Sequence, residues 1–269
     1  MLKQRIITAL IIIPIVWCGL FLLDGSIFAL FIGLVITLGA WEWAGLAGLN
    51  ACLLRVIYVA IVATLLFLMH VLSNIIVPWI LCIAVLWWAL AIFLVLTYPR
   101  TSNYWSSLAT KLVIGLLILL PVSQGLAELK NAPLGNWLIM AVMVLVWSAD
   151  IGAYFSGLAF GKRKLAPAVS PSKSWEGVYG GLALTLLITL IVGIMRDWSL
   201  KEILLALSIA VVAVFISIVG DLTESMFKRQ AGIKDSSNLL PGHGGVLDRI
   251  DSLTAAIPIF AACLWMIAS

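Results

Sequence analysis

The sequence predicts an all-α polytopic membrane protein of about nine transmembrane helices, with its N-terminus on the cytoplasmic side. Three observations lead there. Hydrophobic residues make up 64% of the chain and charged residues only 10%, with a mean hydropathy of +1.19, whereas a soluble domain carries roughly a quarter charged residues. Apolar runs near the length needed to cross a bilayer, about 20 residues, recur from one end to the other. The basic residues, finally, sort to one side of those runs.

The spans are Ile6–Leu23, Ile27–Leu46, Val56–Leu72, Ile75–Leu96, Leu112–Leu126, Trp137–Ala159, Val178–Met195, Ile203–Gly220 and Leu253–Ala268. The fifth is the weakest, because Pro121 interrupts it and polar Ser123-Gln124 follow. The first follows a basic start, Lys3-Gln4-Arg5, but its apolar run is too long and Phe21-Leu22-Leu23-Asp24 too bulky for a cleaved signal peptide. Nine spans with the N-terminus inside put 13 of the 16 basic residues on the inner side, leaving Lys130, Arg196 and Lys201 outside. The net charge of +4 is therefore largely topogenic, and no nucleic-acid partner is inferred from it. Residues 1–269 read as one membrane-embedded domain, with spans 6–126 as scaffold and 137–268 carrying the polar motifs. Cys18, Cys52, Cys82 and Cys263 sit singly in apolar surroundings and have no metal-site spacing.

Polar residues concentrate between the last two spans. Asp221–Ser252 holds Asp221, Glu224, Asp235, Asp248 and Asp251, five of twelve acids, together with Lys228, Arg229, Lys234, Arg249 and His243. If the eighth span continues as a helix past Asp221, then Asp221, Glu224, Ser225 and Lys228 fall on one face. Pro241-Gly242 and Gly244-Gly245 make turns that let backbone approach a ligand. Hard carboxylate oxygens suit Mg²⁺, which binds through one or two carboxylates plus substrate phosphates. Lys and Arg suit the phosphates. His243 reads equally as a ligand or as a loop-shaping residue, and a lone histidine makes no zinc site.

Two further clusters stand out. Asp150 lies within the sixth apolar run, where a carboxylate costs about 2.5–3.5 kcal/mol and should face the bundle interior or a water-filled cavity. It reads as a cavity wall, or as an acid paired with a base on another helix. In the 161–177 loop, Ser172-Lys173-Ser174 and Glu176 precede a helix start and make a plausible triphosphate cradle. Lys162-Arg163-Lys164 reads first as topogenic charge. Gly157–Lys162 is one residue short of a P-loop and lacks the following hydroxyl. Glu42, between Trp41 and Trp43 at a span end, reads first as part of an interfacial anchor, with a functional role as the alternative.

Ser225-x-Phe227-Lys228-Arg229, followed by Lys234-Asp235-x-Ser237-x-x-Leu240-Pro241-x-His243-Gly244-Gly245-Val246-x-Asp248-Arg249-Ile250-Asp251, resembles the signature of the phosphatidate cytidylyltransferases, or CDP-diacylglycerol synthases. The resemblance reaches upstream to Ser170–Gly177 and the Asp150 region, and takes in the multi-spanning layout. It implies that CTP and phosphatidic acid, drawn from the bilayer, give CDP-diacylglycerol and pyrophosphate. It further implies metal ions near Asp221 and Asp248 (Mg²⁺, with a second ion that could be K⁺), a homodimer, and a bacterial inner membrane with the site facing the cytoplasm. On this reading Asp221, Asp248, Lys228 and Lys234 are catalytic, with Asp221 and Asp248 as metal ligands. Ser172, Lys173, Ser174, Glu176, Ser225, Arg229, His243, Arg249 and Asp150 bind substrate, while Glu224, Asp235 and Asp251 support them. Residues alone point to phosphate and metal and leave a polyprenyl-phosphate transferase open as the nearer rival. A secondary transporter is disfavoured because the front half carries so few polar residues, and the DG-x-x-AR pattern of the CDP-alcohol phosphatidyltransferases is missing.

Overall fold

A computed structural model describes residues 2–268, without the side chains of residues 2, 3, 5, 73, 74 and 268. The side chains of Lys3 and Arg5, counted above with the inner basic residues, thus lie outside the described set. In order, the helices are α1 (Leu2–Phe21), α2 (Gly25–Ala47), α3 (Cys52–Val71), α4 (Ser73–Thr97), a single turn α5 (Ser102–Trp105), α6 (Leu108–Asn131) and α7 (Gly135–Phe160). An antiparallel hairpin, β1 (Lys164–Ala166) and β2 (Ser170–Ser174), leads to α8 (Trp175–Met195), α9 (Leu200–Gln230) and α10 (Leu247–Ala268). Among the described residues, eight helices are long and apolar enough to cross a membrane, and α1 adds a shorter apolar stretch, Ile6–Phe21. This is the all-α polytopic architecture the apolar runs predicted.

One span proves firmer than its sequence suggests, and one local expectation changes. The Pro121 interruption does not break the fifth span: α6 runs on to Asn131 with Pro121 and Gln124 buried inside it. Proline removes one backbone donor, and neighbouring helices make that tolerable within a bundle. Here α10 lies close, so that a Cβ on Gly125 would come within 3.1 Å of Pro258 Cα. The 161–177 segment, expected as a loop, pairs instead as a hairpin with Lys164 opposite Ser174 and Ala166 opposite Ser170. Buried Val169 pins its turn.

Helix starts follow capping chemistry. Ser107 accepts a hydrogen bond from the Thr110 amide at α6, and Ser174 accepts one from the Gly177 amide at α8. Ser199 and Glu202 form a reciprocal capping box at α9. Each satisfies an amide that would otherwise lack an acceptor at a membrane-facing end. Helix α9 has 31 residues, about 46 Å at 1.5 Å per residue, which exceeds the bilayer's apolar thickness. It is therefore long enough to extend beyond the apolar core, and its last ten residues hold Asp221, Glu224 and Lys228.

Small residues set the closest helix pair. A Cβ on Gly152 of α7 would lie 2.5 Å from the Gly180 carbonyl oxygen of α8, and one on Gly181 would lie 2.6 Å from the Ala149 carbonyl oxygen. Ser148 and Thr185 hydroxyls bond across the same seam at 2.9 Å. Such close backbone approach is how transmembrane helices associate without a hydrophobic driving force. Gly152→Val should therefore cost about 3 kcal/mol through overpacking, read as a lowered Tm of the detergent-extracted protein. Gly33→Ala, with nothing within 4 Å of an added Cβ, should leave Tm near that of the parent.

Candidate active site

At the end of the bundle where the hairpin, the α9 terminus and the 231–246 loop meet, the polar residues divide into a cavity and a buried brace. The cavity, about 440 Å³, opens between α7, α8 and α9 beneath the hairpin. Asp150, Tyr154, Ser172, Lys173, Ser174 and Asp221 supply its polar lining, and Ala149, Ala153, Val178, Val214 and Ile218 supply much of the apolar wall. Lys173 Nζ lies 2.5 Å from Asp221 Oδ2. The Ser225 hydroxyl donates to Asp221 Oδ1 at 3.2 Å. Asp150 and Asp251 both lie in the electrostatic field of Lys173 and Asp221. Among the described residues, Lys173 is ion-paired with Asp221 alone, and Asp150 shares the cavity lining with that pair.

The brace lies behind this wall. As the conditional reading of the sequence required, α9 continues through Asp221 to Gln230, bringing Glu224 and Lys228 onto adjacent turns. Lys228, 8% exposed, donates to Glu224 Oε1 at 3.1 Å and to Asp248 Oδ1 at 2.7 Å. Asp248, in the first turn of α10, also accepts at Oδ2 from the Ser236 amide (2.9 Å), the Ser236 hydroxyl (3.0 Å) and the Gly245 amide (2.8 Å). Lys228, expected on substrate phosphates, is therefore held inside the protein. Asp248, expected to meet Asp221 at a shared ion, has both oxygens taken by four donors. Among the described residues, no group of three or more His, Cys, Asp or Glu side chains is gathered in metal-ligating geometry.

The remaining predicted residues are placed as follows. Glu176, expected to bind substrate, instead accepts from the Lys162 and Arg163 amides and from Arg163 Nε, tying the start of the hairpin to α8. Arg229 donates to the Val169 and Ile233 carbonyls, joining hairpin to loop. Lys234 and Asp235 are exposed on the loop, and Arg249 is exposed in the first turn of α10. The His243 amide donates to the Leu240 carbonyl at 2.8 Å, while its Nδ1 is buried with no partner among the described residues.

One reading of the sequence is overturned. Glu42 is not an interfacial anchor but is 2% exposed, accepting from the Ser236 and Ser237 hydroxyls and from the Val246 and Leu247 amides. Trp43 beside it packs on Phe227 at 4.8 Å, Trp105 packs on the same ring at 4.7 Å, and Trp43 Nε1 donates to the Lys111 carbonyl. The signal for Glu42 was the one applied to Asp150: an acid in an apolar run must have partners. The flanking tryptophans made a belt look sufficient.

The chain is similar over residues 3–267 to the model of the cytidylyltransferase family. A protein of Pseudomonas aeruginosa named phosphatidate cytidylyltransferase is 66% identical to it over 98% of this chain and 97% of that one. A protein of the same name from Haemophilus influenzae is 45% identical over 97% and 98%, and one from Brucella suis is 48% identical over 47% and 46%.

Removing the shared ammonium would leave two uncompensated buried carboxylates. Lys228→Met should therefore lose about 3–5 kcal/mol, measured as a fall in Tm. Lys234→Met, at an exposed position, should leave Tm unchanged.

Proposed function

We propose that this chain, which belongs to the cytidylyltransferase family, is an enzyme that transfers the cytidylyl group of CTP to phosphatidic acid, giving CDP-diacylglycerol and pyrophosphate. The observation that carries this reading is near full-length identity to relatives of that name, joined to a cavity with a charged floor and apolar walls. A phosphatidic acid molecule needs both surfaces at once: the headgroup beside Lys173 and the glycerol and acyl carbons against Val178, Val214 and Ile218.

The chemistry needs no protein base. A phosphate monoester has a second pKa near 6, so it is mostly a dianion at neutral pH. Its oxygen attacks the α-phosphorus of CTP, the α–β phosphoanhydride bond breaks, and the electron pair leaves on pyrophosphate. Bringing two polyanions together is the barrier, and positioning with charge neutralisation lowers it.

The donor set fits a divalent ion. Two carboxylates and one ammonium leave the cavity lining net negative, so a triphosphate is better accommodated there as its magnesium complex than as a bare anion. Asp221 would hold the ion, since its oxygens carry one ammonium and one hydroxyl and open on the cavity. Asp248 would join only by exchanging the Lys228 ammonium for it. When bound, Mg²⁺ supplies neutralisation of the phosphate oxygens and of the developing charge on the leaving group. Lys173, released from Asp221, can donate to a phosphate oxygen instead. Ser172 faces the same space, and Ser174 fixes the start of α8 beside it.

The basic count supports the cavity end lying on the cytoplasmic side, and the bacterial relatives support an inner membrane. A homodimer rests on the family resemblance.

With purified protein, phosphatidic acid, Mg²⁺ and each of the four NTPs in turn, CTP alone should yield a nucleotide-lipid and pyrophosphate. Excess EDTA should abolish turnover and Mg²⁺ restore it, and Asp221→Asn should lower kcat at least about 100-fold. Product from another nucleotide only, or a polyprenyl phosphate as the sole acceptor, overturns the substrate assignment; full turnover in EDTA overturns the metal.

A further inference from the structure

We infer that Glu42, on α2 and far in sequence from the residues that line the cavity, is a positioning residue for the site. It acts through the 236–247 segment on Asp248, and through Asp248 on Lys228. The juxtaposition that carries this is a buried carboxylate whose hydrogen bonds all reach residues about 200 positions away.

Each oxygen of Glu42 holds one hydroxyl and one amide. Oε1 accepts from Ser237 Oγ at 2.6 Å and from the Val246 amide at 2.9 Å. Oε2 accepts from Ser236 Oγ at 3.1 Å and from the Leu247 amide at 2.8 Å. The two amides open α10, so Glu42 caps that helix from another helix, with its charge at the positive end of the dipole. The Ser236 hydroxyl is shared, because it also lies 3.0 Å from Asp248 Oδ2. One hydroxyl thus joins the Glu42 carboxylate to the Asp248 carboxylate, which itself accepts from Lys228.

Packing closes the remaining freedom. A Cβ on Gly245 would lie 2.6 Å from both Glu42 oxygens, so the backbone rests directly on the carboxylate. Leu247 is buried against Gly39, one turn earlier on α2, where an added Cβ would meet it at 3.1 Å. Trp43 presses on Phe227, the residue before Lys228. Helix α2 therefore fixes the end of α9 by an aromatic contact and the start of α10 by a carboxylate. The buried ion pair forms between those two ends.

A carboxylate is required, since backbone amides can only donate. In Glu42→Gln one of the two oxygens becomes an NH₂, and either Val246 or Leu247 loses its acceptor. In Glu42→Asp the charge remains but the reach is shorter by one methylene.

The experiment compares the parent with Glu42→Gln, Glu42→Asp and Ser236→Ala in detergent, normalised to folded protein by size-exclusion profile and Tm. Two readouts are taken: steady-state kcat and KM for CTP, and hydrogen–deuterium exchange of the 236–247 segment. The kinetic readout rests on the reaction proposed above; the exchange readout does not. Glu42→Gln should exchange faster in 236–247 with the rest of the chain unchanged, and lose kcat about 10- to 100-fold with KM for CTP within about twofold. Glu42→Asp should recover part of that kcat. Ser236→Ala should move both readouts in the same direction by less, and it decides the question if the Glu42 variants do not fold. Parent-like exchange and kcat per folded molecule, in Glu42→Gln or failing that in Ser236→Ala, overturn the inference. So does a defect that appears only as lost folded protein. A parent enzyme inactive with every nucleotide refutes the reaction while faster exchange in the variants still supports the clamp.

Discussion

A buried ammonium shared by two carboxylates is the constraint on which the polar end of this bundle depends. Lys228 sits between Glu224 and Asp248, where an unpaired ion costs several kcal/mol even after relaxation. Pairing alone does not satisfy the group, because two carboxylates and one ammonium remain net negative. The excess falls on Asp248, whose second oxygen takes three donors from Ser236 and Gly245. Those donors belong to a loop, and a loop holds position only if something else anchors it. Glu42 does so, and its own charge is met by the first amides of α10. Each solution creates the next requirement, and the sequence of requirements ends at a helix terminus that needs an anion.

The cavity obeys a different rule. The small residues that let α7 and α8 touch, Gly181 and Gly177 against Ala149 and Ala153, also line the cavity, together with Gly157. The same smallness that lets the helices touch leaves space on the side facing the hairpin and α9. Ser174 lines that space: its hydroxyl caps α8 and lies 3.5 Å from where a Gly157 Cβ would be.

Sequence legibility follows the range of the interactions. The spans were readable because apolar length is local, and the α9 face because helical spacing carries it. Asp150 was readable as an acid in a costly place, Lys173 as part of a cluster before a helix start and Asp221 as the head of a dense polar stretch, and the structure brings them to one cavity. The partners of Lys228 were not readable, because Asp248 is twenty residues distant and any cation near a proposed phosphate site invites assignment to the phosphate. Glu42 was harder still. Its partners lie 194 to 205 positions away, and its two neighbouring tryptophans supply a sufficient local explanation that happens not to operate. Pro121 made the fifth span the weakest of the nine, yet α6 runs through it with Pro121 buried.

The division into brace and cavity bears on how a net-negative site can act on anions. Lys228 and Arg229 are committed to the protein's own acceptors, and Lys234 stands at the surface. Lys173 is the cation among the cavity's lining residues, and it is bonded to a carboxylate that is itself a good ligand for a hard cation. Under the proposed reaction, a magnesium-bound triphosphate would displace that ammonium from Asp221 and at the same moment offer it a phosphate oxygen. The number of charge pairs is conserved through the exchange. A site built with several free lysines would hold triphosphate and pyrophosphate tightly alike, and so would release product slowly. Under the same proposal, a site with one exchangeable ammonium beside two carboxylates would take the anion together with its counter-ion.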